Sequence, residues 1–145
     1  RENKFSFPEL TDDKIKSLFN ALHKMADYVF VDCTEEENDL ISQYALGLAD
    51  EVIMVLSPDL KSMVYLTSNE KLFGSYAEKA IRVLNVNENE VYAPIDDVVA
   101  NIKNVSHVLP FSKQIRSQFI DGLLYERVRD KKYRTEVLKI MDKII

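Results

Sequence analysis

The side chains with the clearest chemical potential stand where apolar runs end, and Asp32 is the first of them. It follows residues 28–31, YVFV, which are rich in strand-forming types. A carboxylate in such a position can hold Mg²⁺ through water beside phosphates, or it can accept a phosphoryl group. The alternative without chemistry is a solvated aspartate at the end of a strand.

Three further apolar runs end in the same way. Residues 52–56 lead into Ser57-Pro58-Asp59, residues 80–86 contain Asn85, and residues 106–109 lead into Pro110-Phe111. The amide of Asn85 could recognise the edge of a base, because it carries both donors and an acceptor. Its alternative role is that of a turn residue after a strand.

Other constellations are weaker or missing. Residues 35–37 are three glutamates that could bind metal, but they equally suit the acidic first turn of a helix. Cys33 is the single cysteine, which excludes an internal disulfide, and no cluster has zinc-ligand spacing. His23 and His107 are far apart and lack a paired serine or cysteine motif, so a hydrolase triad is not indicated.

The elements that must position these residues alternate along the chain. Helical periodicity and apolar runs predict helices near 11–25, 40–48, 60–73, 94–102 and 133–144, a further helix through Ile115 and Phe119 that stops at Gly122, and strands at 28–32, 52–56, 80–86 and 106–111. Such alternation predicts an α/β fold with a mostly parallel sheet and helices on both faces. Ligands of such sheets bind beyond the carboxyl ends of the strands, where all four candidate segments are expected.

Length and composition predict one domain over residues 1–145. The net charge of -5 and the pI near 5.1 give no indication of nucleic acid binding. No secretory h-region is visible, which favours a cytoplasmic protein. The apolar runs are far shorter than the ~20 residues of a membrane span. The amphipathic last helix could touch a membrane, although packing on the sheet is the commoner outcome. Because the first residue is arginine, the chain is expected to be a fragment.

Glycine usage argues against a phosphate cradle in these residues. The chain has three glycines, Gly47, Gly74 and Gly122, and none belongs to G-x-x-x-x-G-K-[ST] or G-x-G-x-x-G. A backbone cradle needs closely spaced glycines at a helix amino terminus. We therefore expect no nucleotide to bind tightly to this chain alone.

Several segments together resemble one family. Residues 27–63, DYVFVD through ADEVIMVLSPDLKSM, resemble the middle of the MinD/ParA-type P-loop ATPases. Residues 81–86, IRVLNV, and 105–126, beginning VSHVLPF, resemble later segments of that family in the same order. Residues 9–32 and 93–104 are most similar to the CpaE/TadZ branch, which acts as a localisation factor in pilus assembly.

The resemblance implies a role for each candidate residue. Asp32 matches the Walker B aspartate, which would hold Mg²⁺ through water in the intact protein, and Asn85 matches the asparagine that contacts adenine. Two pairs of residues complete the implied cofactor site. Pro58 and Asp59 match the strand-end segment that lines the site, and Pro110 and Phe111 match the loop beside the base. No catalytic residue is implied.

Two departures from the family pattern limit this reading. The Walker A loop with its lysine is absent, so we expect this chain alone to be inactive and to be the carboxyl-terminal portion of a nucleotide-binding domain. The missing Walker A strand would lie between the predicted strands at 28–32 and 52–56, which must then pair directly or leave a gap. The loop after Asp32, CTEEEN, lacks glycine and would repel a triphosphate, which indicates weak or absent hydrolysis.

Three functional hypotheses follow. The first is an ATP- and Mg-binding homodimer that acts in subcellular positioning or in pilus or secretion assembly, with polar or membrane-associated protein partners. The second is a degenerate, nucleotide-free interaction module of the same fold. The third, a phospho-acceptor regulator, is disfavoured because residues 1–27 contain no earlier strand with an acidic pair.

Overall fold

The computed structural model describes residues 10–34, 39–69, 76, 79–87, 93–102 and 104–145. The chain divides into two compact units, Arg1–Asp50 and Glu51–Ile145. Each unit has its own secondary structure. In the described part of the chain, no helix combines the length and the apolar character needed to cross a membrane.

The first unit contains two packed helices, α1 (Asp12–Met25) and α2 (Leu40–Leu48), both as predicted. Ile15 on α1 is fully buried. The carboxylate of Asp39 caps α2 by accepting a hydrogen bond of 2.8 Å from the backbone N–H of Ser42. This capping, with the Ser42 hydroxyl, holds the pKa of Asp39 below its ordinary value.

The predicted strand at 28–32 is wrong. Residues 28–32 form neither helix nor strand, and all five are exposed, with Phe30 67% accessible. Strand-forming side chains express their preference only when a neighbouring strand completes the hydrogen-bond ladder. The composition of YVFV predicted a buried strand, whereas the structure leaves these residues exposed and without a strand.

The second unit contains a three-stranded, all-parallel sheet in the order β1-β2-β3. The strands are β1 (Val52–Leu56), β2 (Ala80–Asn85) and β3 (Val105–Leu109), which confirms three of the predicted strands. Val55 pairs with Val83, and Asn85 pairs with Leu109, with an irregularity between Arg82 and Val83. The observed architecture is α/β with an open parallel sheet.

Four helices of this unit are described, as predicted in type and order. They are α3 (Leu60–Ser68), α4 (Ile95–Asn101), α5 (Lys113–Ile120) and α6 (Lys131–Met141). Helix α3 ends earlier than predicted, since the Asn69 side chain donates to the Tyr65 carbonyl at 2.9 Å and competes with further helix. The predicted stop at Gly74 lies outside the described residues. Helix α4 begins after Pro94, and Asp96 lies in its first turn.

Helices cover both faces of the sheet, as predicted. On one face, Leu56 and Leu84 pack with Val98 and Ile102 and with side chains of α3 and α4. On the other face, reached by the alternate strand positions, a second buried cluster joins the sheet to α6. Its members are Ile81, Val83, Leu109 and Ile140. The sheet is therefore the shared wall of two apolar layers.

Strand β1 is an edge of the described sheet. Its alternate residues Ile53 and Val55 are exposed, Val55 by 61%. The strand contains no charge, proline or bulge, which are the usual devices that protect an edge.

Strand β3 carries a half-buried histidine, His107. The Nε2 atom of His107 on β3 is buried and has no hydrogen-bond partner among the described residues. Burial lowers the pKa of His107 below its ordinary 6.5, and the charge of Lys143 lowers it further. The folded protein thus binds a proton at His107 less readily than the unfolded chain.

This difference predicts a loss of stability in mild acid. The contribution of neutral His107 is complete above pH 6.5, and it is lost as the pH falls from 6.5 toward the lower pKa of the folded protein, since the unfolded chain gains the proton first. Urea unfolding at pH 7.5 and pH 5.5 measures the loss, and His107→Leu should reduce it. The control His23→Gln, on exposed α1, should retain the wild-type acid sensitivity. An equal acid loss in His107→Leu would contradict the assignment.

Candidate functional site

The carboxyl ends of the three strands meet at one edge of the sheet. Ser57 follows the end of β1, Asn85 is the last residue of β2, and Pro110 follows the end of β3. The parallel pairing brings these ends together, because Leu56 is in register with Leu84 and Asn85 with Leu109. We call this edge, with Ser57, Asn85 and Pro110, the rim. The predicted grouping of these three strand ends at one edge is confirmed.

The segment after β1 is ordered by helix capping. The Asp59 carboxylate accepts a hydrogen bond of 2.7 Å from the N–H of Ser62 and so caps α3. In return, the Ser62 hydroxyl accepts a bond of 3.2 Å from the N–H of Ser57. Pro58 between them is buried. Asp59 therefore has a structural task that its position alone explains.

Asn85 is half-buried at the middle of this rim. Pairing continues one residue past it, because the N–H of Val86 donates to the carbonyl of Leu109 at 2.9 Å. Within the described residues, the side-chain amide of Asn85 makes no hydrogen bond. Its donors and acceptor are thus uncommitted at a position that the backbone holds firmly.

The segment after β3 is tied to the start of α6. Pro110 and Phe111 are half-buried, and the hydroxyl of buried Ser112 accepts from the N–H of Ile115 at 3.4 Å at the start of α5. Ser112 also hydrogen-bonds the carboxylate of Asp130, which caps α6, and this bond holds the pKa of Asp130 below its ordinary value. The loop beside Pro110 is therefore braced by two helix caps.

A shallow cavity of about 400 Å³ opens beside Pro110. The first turns of α6 supply most of its polar lining, and its walls are Val108, Pro110, Lys131, Lys132, Thr135 and Glu136. The two lysines bring positive charge to this end of the rim. Sequence analysis missed both, although the basic run DKKYR at 130–134 was a visible signal.

Asp32 does not follow a strand, and the rim is formed without it. It lies exposed in the first unit, in a run of residues 26–34 that has no helix or strand. The run is held near its end by a bond of 3.0 Å from the N–H of Thr34 to the hydroxyl of Ser42. The glutamates at 35–37 lie outside the described residues.

Metal-binding clusters are also missing from the described residues. No group of three or more histidine, cysteine, aspartate or glutamate side chains is arranged there to hold an ion. Asp32 as a ligand of Mg²⁺ through water stays a prediction.

Comparison with known proteins returns no match, since no family model, no curated protein and no solved structure matches this chain.

Proposed function

We propose that this chain is the portion of a MinD/ParA-like ATP-binding protein that contacts the adenine base, which we call the base-side portion. Such proteins act in subcellular positioning or in pilus or secretion assembly. The observation that carries the proposal is the uncommitted amide of Asn85 at the shared carboxyl edge of three parallel strands. Ligands of open α/β sheets bind at such an edge.

The residues at the rim suit a purine base. An asparagine amide can pair with adenine through one donor and one acceptor at the same time. The half-buried Pro110 and Phe111 offer apolar surface beside it, and the two helix caps at Ser112 and Asp130 keep that surface in one conformation. Pro58, which follows the end of β1, is buried.

The same residues do not suit a triphosphate. Asp59 is engaged as a cap, and no glycine-rich loop gathers backbone N–H groups for phosphate oxygens. In the proposal, the phosphate cradle is supplied by polypeptide outside these 145 residues. Asp32 would hold Mg²⁺ through water in the intact protein. Hydrolysis would be weak or absent, since the CTEEEN loop repels the γ-phosphate. ATP would then act by promoting a homodimer that recruits polar, pilus or secretion partners.

A second candidate is a nucleotide-free module that binds proteins alone. The exposed apolar run at 28–31 and the unprotected edge of β1 favour it, because contiguous apolar surface and open strand edges commonly mark interaction sites. The two candidates differ in whether adenine has any affinity for the rim.

Matched titrations with adenosine and with Mg-ATP test the proposal. We expect both to bind weakly, with dissociation constants of about 1 mM and within about tenfold of each other, because the phosphates find no cradle and stay hydrated. NMR line shifts of the labelled chain measure both constants in one buffer.

Two results would count against the proposal in different ways. Absence of binding by either ligand at 10 mM, roughly tenfold above the expected constant, would favour the nucleotide-free module. Binding of Mg-ATP more than about a hundredfold tighter than adenosine would reveal a phosphate site in this chain. Loss of this tight Mg-ATP binding in Asp32→Ala would then assign the metal to Asp32.

A further inference from the structure

Two glutamines of α5 hold the loop that leads into α6. The Gln114 side-chain oxygen accepts from the N–H groups of Arg129 at 2.7 Å and Asp130 at 3.0 Å. Its Nε2 donates to the carbonyl of Arg127 at 3.0 Å. One helix turn later, buried Gln118 donates to the carbonyl of Glu126 at 3.4 Å.

Two of the Gln114 contacts, with the carbonyl of Arg127 and the N–H of Arg129, follow the pattern of a neighbouring strand. In an extended chain, the carbonyl of Arg127 and the N–H of Arg129 point the same way on either side of Val128, as in a parallel ladder. Val128 is half-buried, whereas Arg127 and Arg129 are both exposed. Side chains two positions apart share one side of an extended chain. The loop thus presents two arginines together on a fixed backbone.

The arginines border a cleft of about 710 Å³. Its walls are Gln114, Tyr125, Glu126, Arg127 and Arg129, and the ring of Tyr125 is 83% exposed beside it. Neither guanidinium forms an ion pair within the described residues. With Glu126 offsetting one of the two arginines, the cleft combines a net positive charge with an aromatic surface.

The surrounding segment is basic although the protein is acidic. Residues 113–134 contain seven lysines and arginines against three acidic residues, a balance of +4 within a chain of net charge -5. The other residues therefore carry -9. All seven basic side chains are exposed, and they are Lys113, Arg116, Arg127, Arg129, Lys131, Lys132 and Arg134. This segment attracts an acidic partner, whereas the rest of the chain repels one.

We propose that this cleft binds an acidic, extended peptide segment of a partner protein. Arginines two positions apart on an extended chain lie about 7 Å apart, which matches carboxylates two positions apart on an extended peptide. Glu126 favours a peptide over a bare polyanion, because its carboxylate can accept backbone N–H groups, which a polyanion without such donors lacks. The proposal does not require nucleotide at the sheet rim.

Fluorescence anisotropy with a labelled peptide of alternating glutamate and valine tests the proposal on the full chain. Saturable binding is expected, and it should weaken at least tenfold in the double variant Arg127→Gln/Arg129→Gln. The matched control Lys113→Gln/Arg116→Gln removes the same charge from α5 outside the cleft, and it should weaken binding less than threefold. A peptide with glutamine in place of glutamate should not bind.

Three outcomes would overturn the proposal. One is the absence of saturable binding by a wild-type chain whose circular dichroism shows it folded. Another is an equal loss in both double variants, which would mean diffuse attraction rather than a site. The third is displacement of the peptide by pyrophosphate or a short oligonucleotide at lower concentration than by unlabelled peptide, which would mean a phosphate-recognising surface.

Discussion

Replacing Leu84 by alanine should lower the free energy of unfolding by about 2–5 kcal/mol. Leu84 lies on the central strand β2 and is fully buried. It packs with Leu56, Val98 and Ile102 in the layer between the sheet and helices α3 and α4. Truncation removes buried methyl groups and leaves a cavity that close-packed neighbours fill only in part. Urea denaturation followed by circular dichroism measures the change.

The matched control is Leu60→Ala. Leu60 begins α3 and is 57% exposed, so the same truncation there should change stability by less than about 0.5 kcal/mol. Similar losses at Leu84 and Leu60 would mean that β2 is not the centre of the packed layers. The positions of the rim residues would then be wrong as well.

Gln114→Ala should lower the free energy of unfolding by about 1–3 kcal/mol, because it leaves three backbone groups of the 127–130 loop without their partner. Gln114→Glu should lower it less. A glutamate keeps the oxygen that accepts from Arg129 and Asp130 and loses only the donor to Arg127. Denaturant unfolding ranks the three proteins.

Hydrogen exchange identifies the groups responsible for that loss. The amides of Arg129 and Asp130 should exchange faster in Gln114→Ala than in the wild type, whereas the N–H of Val86 on the sheet should change little. Unchanged exchange at the Arg129 amide would contradict the role of Gln114 in holding the 127–130 loop. It would also remove the rigid backbone on which the acidic-peptide proposal depends.

Much of the fold could be predicted because local patterns determine it. The apolar run at 52–56 and the periodic residues at 40–48 gave element bounds that agree with β1 and α2. The strand at 28–32 could not be judged in this way. Its composition is that of a strand, but whether a strand forms depends on a neighbour that sequence does not show.

The rim residues also differ in whether a local sequence pattern predicts their role. Strand ends at Pro58, Asn85 and Pro110 were predictable, since parallel strands bring their carboxyl ends to one edge. The capping role of Asp59 had a local signal in the serine three residues later, which sequence analysis did not use. The contacts of Gln114 had no local sequence signal, because the groups that it binds lie 13 to 16 residues away.

The most direct test of the base-side proposal is an amide-resolved NMR titration of the chain with adenosine. The account predicts that the largest shifts lie at Asn85, Val86 and Phe111, and that Asn85→Ala removes most of the binding. Asn87→Ala, an exposed asparagine two residues later, should bind as the wild type does. Shifts centred elsewhere, or equal binding by Asn85→Ala and the wild type, would contradict the proposal that this rim recognises adenine.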